Sequence, residues 1–284
     1  SDLAPDVRRF APEHAGKSLL KILEETKREE SEIGTLLGLF RTFVCSAEQE
    51  LLSEFSNLLD LVAIGTLADL MPLKNENRIL TKAGLEVLSS TRRKGLKELL
   101  FRNDLYGKDI TASDIGWKIS PLLNASGRLG VPDIAARLLL SDDLDEVQSL
   151  ADELIRLNTQ RRQMGKEAWD LVIADAQASY EELSGKLVVV GGEAINRGIT
   201  GILASRLAKY FGAPTIVVAL LDGKAVGSAR SVNGIHVKRM LDNIADLFID
   251  YGGHDFAAGF SLELDSYELF LEKIRGMVPA MEEM

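Results

Sequence analysis

The chain has 284 residues, 46% of them hydrophobic and 27% charged, the balance of a soluble globular protein with room for two domains. No apolar run is long enough to cross a bilayer and no secretory signal opens the sequence. Cys45 is the only cysteine, which excludes an internal disulfide and a cysteine-built structural zinc site; the expected setting is cytoplasmic.

Residues 1–57 read mostly as helix, with Ile33, Leu36, Leu37 and Phe40 at helical spacing. Pro5 and Pro12 make the opening irregular, and His14 reads there as a solvated histidine. Leu58 to Ile64 is a short apolar run that suits a buried strand or a helix segment. It leads to Asp69, a carboxylate placed either at a cleft edge or at a helix N-terminus. Segments 77–85 and 95–100 read as short helices, and Thr111 to Trp117 as the cap of a further helix ending at Pro121. Leu122 to Leu129 reads as a small-residue loop carrying Arg128, whose planar guanidinium suits bidentate phosphate binding or a surface salt bridge.

Ser141 to Glu146 starts with a cap and first-turn acids. Apolar residues from Val147 to Ile173 then predict one long helix over about 143–180, with a possible break near Gly165. Leu187 to Gly192 reads as a buried strand and 198–211 as a helix. Pro214 to Leu221 and Lys224 to Ser228 read as strands joined by an Asp222-Gly223 turn. A helix is expected at 237–248, a strand at 260–264 and a closing helix at 266–278.

Charge is uneven along this stretch. The whole chain carries −10, yet residues 186–240 hold eight Lys or Arg and two acids. A local basic surface on an acidic protein is what a groove for an anionic strand requires, although solvated lysines and arginines would give the same count. Between the last helix and strand lies Tyr251 to Phe260, Tyr-Gly-Gly-His-Asp-Phe-Ala-Ala-Gly-Phe. Gly252 and Gly253 free the backbone and His254 follows at once, so the stretch reads as a loop bringing an imidazole and backbone amides to a ligand. A tight turn into a strand, with a hydrogen-bonded histidine, is the other reading.

Three stretches, Asn196 to Arg206, Gly227 to His236 and Gly252 to Phe260, resemble in order and spacing the DHH-associated domain of the DHH phosphoesterase superfamily. The resemblance extends upstream through Asp60 to Leu73 and Leu123 to Leu129, covers roughly residues 55–275, and is nearest to the RecJ-like single-stranded-DNA exonucleases. It implies an α/β fold: a helix-rich remainder of a DHH domain at 1–142, a connecting helix at 143–182, and a smaller mixed α/β DHH-associated domain at 183–284 that binds nucleic acid.

The resemblance further implies a metal-dependent 5′→3′ exonuclease hydrolysing phosphodiester bonds of single-stranded DNA in repair and recombination, using Mn²⁺ or Mg²⁺. Asp69 matches a metal-binding aspartate, and Arg128 would touch the scissile phosphate. Arg197, Arg206, Ser228, Arg230, Gly252, Gly253 and His254 would hold the strand or its terminal phosphate, His254 also facing the reaction. Asp60 reads as structural. The family's Asp-His-His motif and its two earlier aspartate motifs do not occur here, and none of the three histidines adjoins another. A fragment, inactive alone, or a degenerate homologue acting as a non-catalytic scaffold would explain this. A phosphodiesterase for short oligonucleotides or cyclic dinucleotides is a further reading, and repair or replication proteins are the expected partners.

Overall fold

A computed structural model describes residues 49–232 and 234–279, with side chains from residue 55 onward. The readings for residues 1–48, including His14 and Cys45, lie outside the described residues. The chain divides into two compact units, 1–120 and 121–284.

In the first unit the apolar run at 58–64 is a helix segment, not a strand. It lies inside helix α1, Gln49–Ala68, which packs on α2, Asn75–Ser89. Gly84 is the point of closest approach: a Cβ there would lie 2.2 Å from the Leu59 carbonyl oxygen. Helix α3, Lys94–Arg102, buries Leu96, Leu99 and Leu100. Asp60 is almost completely buried, accepts from Thr91 Oγ1 at 2.6 Å and from Arg93 Nε at 3.3 Å, and so ties α1 to the α2–α3 connection. A buried carboxylate needs such partners.

The expected loop at Leu122 to Leu129 is instead helix α4, Ser120–Arg128. Thr111 and Asp114 form a capping box, and the run passes through a π-turn, Ile115–Ile119, before α4 begins. Pro121 therefore falls in the first turn of an α-segment, where its missing N–H is tolerated. Arg128 is the last residue of α4.

The second unit continues with α5, Asp133–Leu140, and α6, Leu144–Glu182. The long helix is unbroken at Gly165, and Asp143 rather than Ser141 caps it by accepting from the Glu146 amide at 2.9 Å. Five strands follow: β1 Val188–Gly192, β2 Thr215–Leu221, β3 Lys224–Arg230, β4 Phe248–His254 and β5 Ala257–Glu263. Their order is β1-β2-β3-β5-β4, with β1 parallel to β2 and every other pair antiparallel. Helix α7, Thr200–Phe211, follows a 3₁₀ turn, Arg197–Ile199. Helices α8, Val237–Asp242, and α9, Tyr267–Met277, complete the unit.

Alternation along the strands sorts residues between two faces. One face joins Ile216, Val218, Ala225, Ala229, Ala258, Phe260 and Leu262 to α8 and α9. The other joins Val188, Val190, Val217 and Ala219 to α6 and α7. That second cover takes in β1 and β2 but no residue of β4 or β5.

Two readings around β4 change. The helix expected at 237–248 stops at Asp242, and Phe248 already belongs to a strand. Tyr251 to Phe260 is a β-hairpin, not a loop: β4 and β5 pair through Gly252–Gly259 and His254–Ala257, leaving Asp255 and Phe256 as the turn. Gly253 has a φ of 140°, and a Cβ there would lie 2.3 Å from the Ala257 carbonyl oxygen. The glycine is needed inside the strand, where the chain crowds its partner.

Candidate nucleic-acid interface

Each candidate side chain on the sheet is placed by register. On β3, Val226, Ser228 and Arg230 alternate with the core residues Ala225 and Ala229, so they project from the face that α6 and α7 cover only in part. Pairing extends this row: Ser228 lies opposite Gly259, which lies opposite Gly252, and Arg230 lies opposite Ala257, which lies opposite His254. A cationic and hydroxyl-bearing strand is thus followed by two strands floored by glycine and alanine. Gly252 has open space where a side chain would stand, and His254 at the far edge is exposed.

Helix α7 closes one side of this floor with its N-terminal, electropositive end. Gly201 faces Arg230 so closely that a Cβ would lie 2.7 Å from Nη2. Thr200 is buried and its Oγ1 is 3.0 Å from Ser228 Oγ. The Thr200 hydroxyl donates to the Arg197 carbonyl at 3.1 Å, so in this pair Ser228 is the donor and Thr200 accepts; the lone pairs of Ser228 stay open to a further donor.

Arg128 approaches the same place from the end of α4. Its Nη1 donates to the Gly198 carbonyl at 3.4 Å, while Arg230 Nη1 donates to Ala229 at 2.8 Å and to Ala258 at 3.4 Å. Among the described residues no carboxylate perturbs either guanidinium. Partial burial pushes the pKa of both arginines down, and the charge of Arg128 lowers that of Arg230 further. Arg161 on α6 is lowered by burial and then by the charges of Arg128 and Arg162. Arg230 is half-buried and Arg128 still reaches solvent, and two neighbouring cations that repel one another are relieved by an anion; paired guanidinium forks match phosphate oxygens.

The hairpin tip beside this site is tethered. The Ser231 amide donates to the Phe256 carbonyl at 2.9 Å, and the His236 ring stacks on Phe256 with centroids 5.5 Å apart. His236 Nδ1 faces an Asp255 carboxylate oxygen at 3.4 Å without hydrogen-bond geometry.

The remaining sequence candidates fall elsewhere. Arg206 lies on α7 with its guanidinium 4.0 Å above the Trp169 ring of α6, a cation–π contact away from Gly201. Arg197 sits on the 3₁₀ turn and lines a cavity together with Arg128. A side chain on Gly253 would run into the backbone of β5 at Ala257 and Ala258, so this residue presents no surface to a strand. Asp69 belongs to the first unit and follows the C-terminus of α1, so the helix N-terminal alternative does not hold; its amide donates to the Gly65 carbonyl at 3.0 Å. Sequence reasoning missed Thr200 and Gly201. Their signal was present as a Thr-Gly pair opening α7, but its meaning depends on register with β3.

Residues 184–279 match the DHHA1 domain model. The chain is 40% identical over 232 residues to the single-stranded-DNA-specific exonuclease RecJ of Salmonella typhimurium, covering 78% of this chain and 40% of that protein. It is 39% identical to the Bacillus subtilis RecJ, covering 73% of this chain and 26% of that protein. The chain resembles the C-terminal region of RecJ-like proteins of the DHH family. Two solved structures agree. RecJ from Thermus thermophilus in complex with Mg²⁺ superposes with a TM-score of 0.70 at 33% identity, over 79% of this chain and 35% of that one. An exonuclease RecJ bound to manganese gives 0.64 at 32% identity, over 79% and 55%. The RecJ-like chain thus spans two fifths or less of the length of these curated relatives.

Among the described residues no three His, Cys, Asp or Glu side chains converge, so they do not fit a divalent metal centre on their own. None of the described helices is long and apolar enough to cross a membrane.

Proposed function

We propose that the RecJ-like chain is the strand-holding part of a metal-dependent 5′→3′ exonuclease acting on single-stranded DNA. In this reading 1–142 is the C-terminal part of the DHH domain, 143–182 the connecting helix and 183–284 the nucleic-acid-binding domain. One observation carries the reading: Arg128 and Arg230 are brought to one place with Ser228, partly desolvated and without a carboxylate. Such a site suits the oxygens of one phosphate, with the glycine floor and His254 beside it admitting the adjoining backbone. The names of the relatives, all single-stranded-DNA-specific exonucleases, support the choice of ligand.

Asp69 has the role of one metal ligand in this proposal. An exposed carboxylate at the negative end of a helix is electrostatically disfavoured by about 0.3–1 kcal/mol, and a bound cation would reverse the sign. Mn²⁺ or Mg²⁺ would need further donors from outside the described residues, and hydrolysis would depend on them. DNA-repair or replication proteins are the proposed partners and the cytoplasm the proposed setting.

Salt-dependent binding tests the reading. Affinity for single-stranded DNA should fall steadily as salt rises, because each phosphate contact releases counterions. Arg230→Ala should weaken binding by about 1.5–3 kcal/mol, the range for a hydrogen bond to a charged group. An affinity indifferent to both would remove the phosphate site. A scaffold without catalysis would bind equally well in chelator, which separates that alternative from an enzyme.

A further inference from the structure

Thr200, the first residue of α7, is buried, and its hydroxyl meets two other elements. It donates to the Arg197 carbonyl at 3.1 Å on the preceding 3₁₀ turn, and it lies 3.0 Å from Ser228 Oγ on β3. The first contact alone is ordinary, since a threonine commonly bonds a carbonyl three or four residues before it. The second is not local, because 28 positions separate Thr200 from Ser228.

A hydroxyl carries one proton. With that of Thr200 committed to Arg197, the proton of Ser228 is committed to Thr200, and the row is polarised from the sheet toward the turn. Ser228 keeps lone pairs for a further donor. The cation beside it is Arg230, whose Nη2 lies 2.7 Å, and Ser228 Oγ 3.5 Å, from one point, the position of a Cβ on Gly201. Nη1 of the same guanidinium is held by the Ala229 and Ala258 carbonyls, at 2.8 and 3.4 Å. An oxygen that shows only lone pairs attracts the Nη2 end of this fork. A serine free to rotate can turn its proton there instead and weaken the attraction.

We propose that Thr200 is a positioning residue of the phosphate site: by taking the Ser228 proton it fixes that hydroxyl as an acceptor, which keeps the Arg230 fork seated against Gly201. The proposal rests on the phosphate site described above, and it makes Ser228 a partner of the cation and not of the phosphate.

The test uses the whole chain and a 5′-phosphorylated oligothymidylate, titrated at several salt concentrations. Thr200→Val keeps the shape and removes the hydroxyl. It should weaken binding about fivefold, the loss of one hydrogen bond. It should also flatten the salt dependence, by no more than the roughly one unit of slope expected of Arg230→Ala. Thr200→Ala removes the same hydroxyl and should flatten it likewise. Thr200→Ser keeps a hydroxyl and should bind as the wild type does. In a Ser228→Ala background Thr200→Val should change nothing further, because Thr200 acts through Ser228. Unchanged or tighter binding in Thr200→Val and Thr200→Ala would overturn the proposal. So would a loss at unchanged salt slope, or an equal loss with and without the Ser228 hydroxyl, since a purely structural threonine gives those results. Arg230→Ala separates the two levels. If it lowers affinity and slope while the Thr200 variants do not, only the positioning role fails. If it changes neither, the phosphate site fails and this role with it.

Discussion

The guanidinium of Arg230 occupies the space that a side chain on Gly201 would fill, Nη2 lying 2.7 Å from the position of such a Cβ. The absence of a side chain at the start of α7 thus lets a cation on β3 lie against that helix. The obstructed group is the mobile end of a long side chain, not backbone.

Gly201→Ala should therefore displace the Arg230 head group at little cost to the fold. Single-stranded-DNA affinity should drop by about 1–3 kcal/mol, with the thermal midpoint nearly unchanged. Titration and melting of the same variant decide this; unaltered affinity would mean that the observed Arg230 position is unimportant for binding.

Gly198→Ala should behave in the opposite way. A Cβ there would lie 1.8 Å from the Arg128 carbonyl oxygen, and backbone at the end of α4 cannot swing aside as a side chain can. Overpacking of this kind costs about 1–3 kcal/mol. Calorimetric melting should show the loss directly, and a wild-type midpoint would contradict the close approach.

His254 is exposed at the edge of β4, so His254→Ala should alter stability by no more than about 0.5 kcal/mol. If the residue faces the strand, affinity should still fall. A large stability loss with unchanged affinity would make His254 a structural residue of the hairpin.

Asp114 predicts an acid-dependent contribution. Its hydrogen bonds with Thr111 and Lys118 lower its pKa from 3.8 to about 2. Because the folded value is the lower one, the unfolded chain takes up its proton first. The stabilisation is complete above 3.8 and is lost as pH falls toward about 2. Melting midpoints of the wild type and Asp114→Asn should converge across that window; a constant gap would place the stabilisation elsewhere.

The basic window at 186–240, the paired glycines before His254 and the β-branched strands are all legible in the sequence, because composition and period-two alternation are local properties. So is the DHH-family likeness, carried by ordered blocks. The long helix is legible for the same reason, its apolar spacing persisting from Val147 to Ile173. Other features depended on the tertiary structure. Leu122 to Leu129 looks like a loop because Asn124, Ser126 and Gly127 are weak helix formers, yet the preceding π-turn and buried Leu122 and Ala125 carry the helix through it. Gly252 and Gly253 look like loop residues because glycine has little strand propensity, yet pairing with β5 makes them strand. The grouping of Arg128, Thr200, Gly201, Ser228 and Arg230 could not be read along the chain. These residues span more than a hundred positions, and only sheet register together with the seating of α7 brings their charges and hydroxyls to one point.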